Sequence, residues 1–465
     1  MQSRYDIAIV GGGAAGVLAA LHALHLAPAG ARIALFEPAP RLAGGVAYAT
    51  HRREHLLNVP AGRMSALPAQ PDDFLDWLAS RHGDADAPRA ALATRYVPRR
   101  DYAAYLRERL QQACQRQPGC LQVVTGRVQA LQRTGDGWVV EANGGHHPAR
   151  RVLLATGNAP RPLPARGAGA LPPPRLIEAW DYPALEAVGR DASACIVGTG
   201  LSMVDVLLTL QARGHRGPVH LLSRHALWPR AHAAAHAVDD GFDVDALHAL
   251  GTRMRLRRIR EQVRQAVARG LPWQAVMERL RPHGAALWRS LGSGEQRRFL
   301  RHGARWWDTH RHRVAPAAHA ALEELRHNGR VHLHRARLDL VAAGPRCVQL
   351  QARTAGGHTL RLEVDHVVNA AGLELRVQAM RNPLLEQLLG EGHVRAGAHG
   401  IGLDTDAGGR LLDASGQPQD DLRAIGSLRI GQDWESTAIP ELRLQAEAIA
   451  RDWMATHRHG PGASQ

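Results

Sequence analysis

Hydrophobic positions in this chain fall into short β-branched runs that end in small residues, followed by apolar residues at helical spacing. The first run, Ile7 to Val10, ends in Gly11, Gly12, Gly13, Ala14, Ala15 and Gly16. Val17, Leu18, Leu21 and Leu24 then recur with a helical period, and Pro28 with Gly30 ends that helix before the next strand, Arg32 to Phe36. Glu37 closes the unit, 21 positions after Gly16. The same order of elements returns at Ala194 to Val197, which runs into Gly198, Thr199, Gly200, Leu201, Ser202 and Met203. A helix with Val204, Val206, Leu207 and Leu210 follows, Gly214 and Gly217 break it, and the strand Val219 to Leu222 ends in Ser223 and Arg224. Two further runs, Arg151 to Gly157 and His366 to Gly372, read as chain crossings between domains. Near the C-terminus, Leu422 to Ile425 predicts a strand ending at Gly426 and Ser427, and a helix is expected to begin near Thr437 with Pro440 in its first turn.

Strand, glycine turn, helix, strand and acid in this order form a dinucleotide-binding unit. Gly11 permits the tight turn, Gly13 lets the backbone approach a pyrophosphate, and Gly16 lets the helix pack on the strand. The helix start at Ala14 and Ala15 offers N–H groups and partial positive charge to the phosphates. Glu37 is placed to accept hydrogen bonds from the ribose. In the second unit Gly198, Gly200, Leu201 and Ser202 take the same places, with Met203 in place of the third glycine. A hydroxyl and a guanidinium, Ser223 and Arg224, stand where an acid would favour the free 2′-hydroxyl, so the 2′-phosphate of NADP fits better and NADPH is the expected second cofactor.

These units, together with GGVAYAT at Gly44 to Thr50, HLLNVPAGRMS at His55 to Ser65, WWDTHRHRVAP at Trp306 to Pro316 and AIGSLRIGQDWESTAIPELRLQA at Ala424 to Ala446, resemble the flavoproteins with two dinucleotide-binding domains. More narrowly, the chain resembles the FAD-NAD(P)-binding proteins related to flavin-dependent N-hydroxylating monooxygenases. The resemblance implies an α/β fold in which a Rossmann-type FAD domain, residues 1–165 and 355–465, is split by a Rossmann-type NAD(P)H domain, residues 190–354, with an arginine-rich helical insertion over about 236–328. It places Gly45, Val46, Ala47, Asn58 and Met64 in the first loops, Thr156, Gly157 and Gly372 at the crossings, and Gly426, Thr437 and Ile439 near the last helix start, all as FAD- or NADPH-binding residues. There the helix dipole would stabilise negative charge on the reduced flavin. The implied activity is an FAD-dependent oxidoreductase, monooxygenase-like, that takes hydride from NADPH and acts on a small molecule. A reductase or dehydrogenase without oxygen insertion is the alternative within enzymes, and a flavin-bound RNA- or protein-interaction protein the alternative outside them.

Departures from the relatives limit what carries over. Leu176 stands four residues before Trp180, where Baeyer–Villiger relatives carry histidine. Asp365, Ala370 and Gly372 keep part of the N-hydroxylating pattern, but Ala371 and Leu373 replace its threonine and tyrosine. No side chain announces itself as a catalytic acid or base.

Composition changes the picture only in places. A chain of 465 residues calls for two or three domains. The net charge of +15 comes entirely from arginine, since no lysine is present, which points to a compositional bias of the whole chain and excludes Schiff-base and lysine phosphate-loop chemistry. Arg253, Arg255, Arg257, Arg258, Arg260, Arg264 and Arg269 surround Leu256, Ile259, Val263 and Ala266 at helical spacing, an amphipathic basic helix read as a solvated face rather than a nucleic-acid surface. Cys114, Cys120, Cys195 and Cys347 form no C-x-x-C pair, which fits a reducing cytoplasm and argues against a dithiol flavoenzyme. No membrane span and no secretory leader is expected. His332 with His334, and His310 with His312, are read as surface pairs rather than metal ligands. Trp306, Trp307, Asp308, His310, Arg311 and Arg313 are expected to form a loop that holds a nicotinamide ribose, an anionic substrate or a domain contact. The partner expected is a small-molecule substrate, with a homodimer left open.

Overall fold

The computed structural model describes residues 4–82 and 88–455. Two parallel-centred sheets organise it. The first runs in the order Arg410–Leu412, Pro418–Ala424, Gly145–Leu154, Tyr5–Val10, Ile33–Glu37 and Leu121–Thr125, with Val128–Thr134 and Gly137–Ala142 added as an antiparallel extension of Gly145–Leu154. Ile7 pairs with Ile33 on one side and with Arg151 on the other, both parallel. The second sheet runs Thr359–Val364, Val348–Thr354, Val331–Ala343, Val219–Ser223, Ala194–Val197, His366–Asn369 and Leu176–Glu178.

Helix Ala14–Leu26 follows the first strand, and its residues Gly16 to Leu24 are all buried. A helix that is apolar all round must be covered on every side. The sheet covers one side, and helices Arg99–Arg116 and Ile439–Ala455 cover the rest, with Tyr102, Leu106, Leu442, Ala446 and Ile449 in the shared core. Helix Leu201–Ala212 plays the same part in the second sheet, packed among Tyr182, Leu185 and Leu322.

The structure revises the expected boundaries. Leu176–Glu178 and His366–Asn369 pair in parallel as strands of the second sheet, and Thr359–Val364 closes its far edge, so this sheet extends beyond residues 190–354 on both sides. Helix Pro316–His327, expected inside the insertion, instead covers the second sheet through Ala318 and Leu322. The last helix begins at Ile439, close to the expected start near Thr437, with Pro440 in its first turn. No helix among the described residues is long and apolar enough to cross a membrane.

In the arginine-rich helix, Thr252–Ala268, one residue departs from the expected solvated face. Arg255 is buried, and its guanidinium donates to the carbonyls of Leu250, Leu287 and His248 at 2.7, 2.5 and 3.0 Å. It packs the insertion together from inside.

Candidate functional site

The two glycine turns are built alike. Gly11 has φ +110°, and a Cβ there would lie 2.3 Å from the carbonyl oxygen of Ala155. Gly198 has φ +115°, and its Cβ would lie 2.1 Å from the carbonyl oxygen of Ala370. Each crossing strand thus ends directly beneath a turn that only glycine can make. Gly16 is closer still, since a Cβ would meet the Gly11 carbonyl oxygen at 1.8 Å. Met203, at the corresponding place in the second unit, is fully buried in the core, so there a long side chain fills the helix–sheet gap that glycine closes in the first.

Around the first turn the structure gathers Gly11, Gly13, Ala14, Ala15, Gly16 and Glu37. Glu37 accepts from the backbone N–H of Gly12 at 2.6 Å and of Ala39 at 2.9 Å, which fixes its carboxylate beside the turn. Gly45 lies against the same turn: a Cβ on it would come within 3.6 Å of the Gly13 Cα. Val46 and Ala47 follow on the short helix Gly45–Tyr48, Val46 half-buried and Ala47 exposed. Gly426 also arrives here, 3.8 Å from the Ala15 methyl as measured from its own would-be Cβ. Gly13 and Gly45 border open space, since a Cβ on either would meet nothing nearer than the other's Cα, at 3.8 and 3.6 Å, so the turn leaves room for the backbone approach of an FAD-sized dinucleotide.

The other expected residues are more scattered. The Asn58 carbonyl meets His232 Nε2 at 2.9 Å, and Met64 and Ile439 are buried in the first core. Gly157 accepts through its carbonyl from Ser427 Oγ at 2.8 Å, beside Thr156.

A cavity of about 610 Å³ opens between the two units. Gly198, Gly200, Leu201, Ser202, Ser223, Arg224 and Gly372 line one side, and Thr437 lines the other with Ser427. Ser223 is oriented by a 3.0 Å hydrogen bond to Thr199 Oγ1. Arg224 is exposed on this wall and has no ion-pair partner among the described residues.

The insertion supplies a third wall, built from the segment that the sequence offered either as a ligand-holding loop or as a domain contact. Trp306 to Pro316, expected as a loop, is helical over Ala304–Arg311, and Arg305, Asp308, Thr309 and His312 face the cavity. Trp306 itself is 49% exposed. Glu435, on the opposite wall, binds this helix to the segment after Ser427, accepting from Trp307 Nε1 and from Arg311 Nε, both at 2.7 Å. Trp288 Nε1 adds a bond to the Gly431 carbonyl at 2.8 Å. Burial pushes the Glu435 carboxyl up from its usual range. It also pushes the Asp308 carboxyl up to about 6, against the pull of Arg305. His312 is held down to about 3, first by burial and then by neighbouring arginines. The paired tryptophans of WWDTH with Asp308, His310, Arg311 and Arg313 were the signal of this wall in the sequence.

The two units are also pinned together away from the cavity. His55 is buried, with Nδ1 2.7 Å from Thr50 Oγ1 and Nε2 2.9 Å from Thr209 Oγ1 in the helix after the second turn.

Comparison with known proteins agrees with this construction. Residues 8–159 match the family model described as FAD-NAD(P)-binding. Among curated proteins none matches the chain. Among solved structures, a reduced form of ornithine hydroxylase from Pseudomonas aeruginosa superposes with a TM-score of 0.66 at 17% identity, covering 97% of this chain and 99% of that one. An ornithine N-hydroxylase from Kutzneria sp. 744, solved with reduced FAD, NADP+ and L-ornithine, gives a TM-score of 0.67 at 14% identity over 98% and 100% of the two chains. Bacillithiol disulfide reductase from Staphylococcus aureus gives 0.58 at 13% identity over 98% and 99%. The chain therefore carries an FAD-NAD(P)-binding domain and has, over nearly its whole length, the fold of flavoproteins with two dinucleotide-binding units.

Proposed function

We propose that this chain is an FAD- and NADPH-dependent oxidoreductase of the monooxygenase kind, acting on a small molecule. The carrying observation is that one cavity is lined both by the second glycine turn and by the Ser427–Thr437 segment, which continues from the strand beside the first turn. A pocket lined by two dinucleotide units and closed by a third wall is where binding and chemistry concentrate.

FAD, bound by the first unit, and NADPH, bound by the second, would supply hydride transfer and reduction of oxygen. The protein's share is placement. Gly11 makes the turn, Gly16 packs the helix on the strand, Gly13 and Gly45 leave room for the diphosphate, and the N-terminus of helix Ala14–Leu26 faces it with N–H groups. Glu37 receives the ribose. Arg224 and Ser223 receive the 2′-phosphate, which sets the preference for NADPH over NADH. Helix Ala304–Arg311, anchored through Glu435, walls the cavity on a third side, narrowing its access to water and so strengthening electrostatic contacts inside it.

The ornithine hydroxylases share this architecture, and that likeness supports oxygen insertion over simple reduction. The cysteines argue against one kind of reductase, the dithiol enzymes: Cys195 is fully buried, with its thiol pushed up to about 12 by burial, and none of the four lines the cavity. A dithiol relay to an acceptor has no place to stand. The test is the fate of oxygen. FAD-loaded protein supplied with NADPH, air and a panel of small amines and thioethers should form an oxygenated product. Hydrogen peroxide or a reduced acceptor in amounts equal to NADPH consumed, with no oxygenated product, would leave only the reductase reading.

A further inference from the structure

The third wall of the cavity carries a carboxylate, Asp308, where the sequence offered a ligand-holding cluster but named no acid or base. We propose that Asp308 is the acid–base residue of the cavity, exchanging a proton directly with the small molecule bound there. The proposal rests on the functional reading above, since it takes this cavity as the place of turnover.

Three observations carry it. Asp308 stands on the wall between the second glycine turn and the Ser427–Thr437 segment, with 32% of its side chain exposed into that space. Its one ionic contact among the described residues is loose, 3.3 Å to Arg305 Nη1 on its own helix, so an oxygen of the carboxylate remains available to a ligand. The neighbouring acid is not available in this way: Glu435 is 6% exposed in its side chain, and both its oxygens are taken by Trp307 and Arg311. One acid is structural, and the other is left to act.

The electrostatic surroundings suit the task. Arg305 on the same helix lowers the affinity of Asp308 for a proton, while burial and Glu435 from the facing segment raise it, and the result is a carboxyl that titrates near 6. The remaining ionisable groups on the cavity wall are Arg161, Arg224, His225, His312 and Arg337. His312 is no competitor, since burial and adjacent arginines hold it neutral down to about 3. A carboxylate that titrates close to neutral pH can take a proton and return it within one cycle.

The step is a proton transfer. The Asp308 carboxylate oxygen takes the proton of the N+–H bond of an ammonium group, or of the S–H bond of a thiol, on the bound molecule, forming its own O–H bond as that donor bond is given up. The N+–H or S–H bond breaks, and its electron pair stays on nitrogen or sulfur as the lone pair that makes the atom nucleophilic. Water at the cavity mouth then takes the proton from Asp308. No oxidant enters this step.

The test has two arms. In ligand-free protein, pH-difference infrared spectroscopy should show a carboxyl band titrating near pH 6 that is absent from D308N, with thermal unfolding showing that the variant is folded. In FAD-loaded protein with NADPH and air, benzylamine and benzyl mercaptan serve as nitrogen and sulfur probes. Turnover in the wild type should rise through pH 6. D308N should lower kcat by about 10²-fold or more, with a smaller change in KM, and lose that rise, and D308E should restore it. If NADPH fails to bleach the wild-type flavin without air, the functional reading fails whatever Asp308 does. If the flavin bleaches and D308N keeps the wild-type pH profile, the proposal is overturned. Should neither probe turn over, the infrared titration decides: no carboxyl titrating near pH 6, or one that persists in D308N, overturns it.

Discussion

Arg99 and Asp205 form a two-pronged ion pair, Nη1 to Oδ2 at 2.6 Å and Nη2 to Oδ1 at 2.9 Å, that joins the helix packed on the first glycine unit to the helix that follows the second. The Asp205 side chain is 4% exposed and that of Arg99 16%, so both charges have left most of their water behind. Removing one partner strands the other.

Asp205→Ala should therefore destabilise the protein by about 3–5 kcal/mol, the usual cost of an orphaned buried charge. A double replacement, Arg99→Met with Asp205→Leu, should recover most of that loss. Urea unfolding of the FAD-loaded protein measures both. A cost below about 1 kcal/mol for Asp205→Ala would show that the pair behaves like a surface contact.

His232 gives a prediction in pH. Burial, then Arg313, holds its imidazole down to about 4 from an ordinary value of 6.5, while Nε2 stays against the Asn58 carbonyl. The unfolded chain takes up the proton first as pH falls. The stabilisation is thus complete above about 6.5 and is lost progressively between there and about 4. Stability measured at pH 7, 6, 5 and 4 should fall more steeply in the wild type than in His232→Gln. Parallel slopes would contradict the assignment.

Legibility followed the range of the interactions. Gly11 and Gly198 could be read because the strand before each and the helix after it lie within a few residues, and the turn between them admits one residue type. The position of Glu37 beside the Gly12 N–H was readable for the same reason. Asp308 and Glu435 were not readable as a pair of walls, because the bonds that bring them together, Trp307 and Arg311 to Glu435, span 128 and 124 positions. The edge strands Leu176–Glu178 and Thr359–Val364 were missed because one is short and the other alternates with polar residues. Helix Pro316–His327 was assigned to the insertion since its charged face hid the Ala318 and Leu322 side that covers the sheet.

The two glycine turns should separate the two cofactors. Gly11→Ala forces a Cβ to 2.3 Å from the Ala155 carbonyl oxygen, and Gly198→Ala forces one to 2.1 Å from that of Ala370. Each also strains a left-handed backbone by about 1–3 kcal/mol. Gly11→Ala should purify without flavin and fail to take it up. Gly198→Ala should retain FAD and lose NADPH binding at least tenfold. Flavin absorbance and NADPH titration check the pair, and a Gly198→Ala protein that loses FAD first would reverse the assignment of the units.

Arg224 should set the choice of nicotinamide nucleotide. Its guanidinium on the cavity wall has no ion-pair partner among the described residues, so a hydrogen bond to the 2′-phosphate would contribute about 1.5–3 kcal/mol. Arg224→Gln should weaken NADPH by about 10- to 100-fold and leave NADH nearly unchanged. Equal weakening of both would place Arg224 away from the 2′ position.

The account rests on one cavity serving two dinucleotides, and anaerobic stopped-flow mixing tests that most directly. FAD-loaded protein should lose its flavin absorbance within seconds of meeting NADPH, and more slowly with NADH. Protein that stays colourless after incubation with FAD, or a bound flavin that neither nucleotide bleaches, would contradict it.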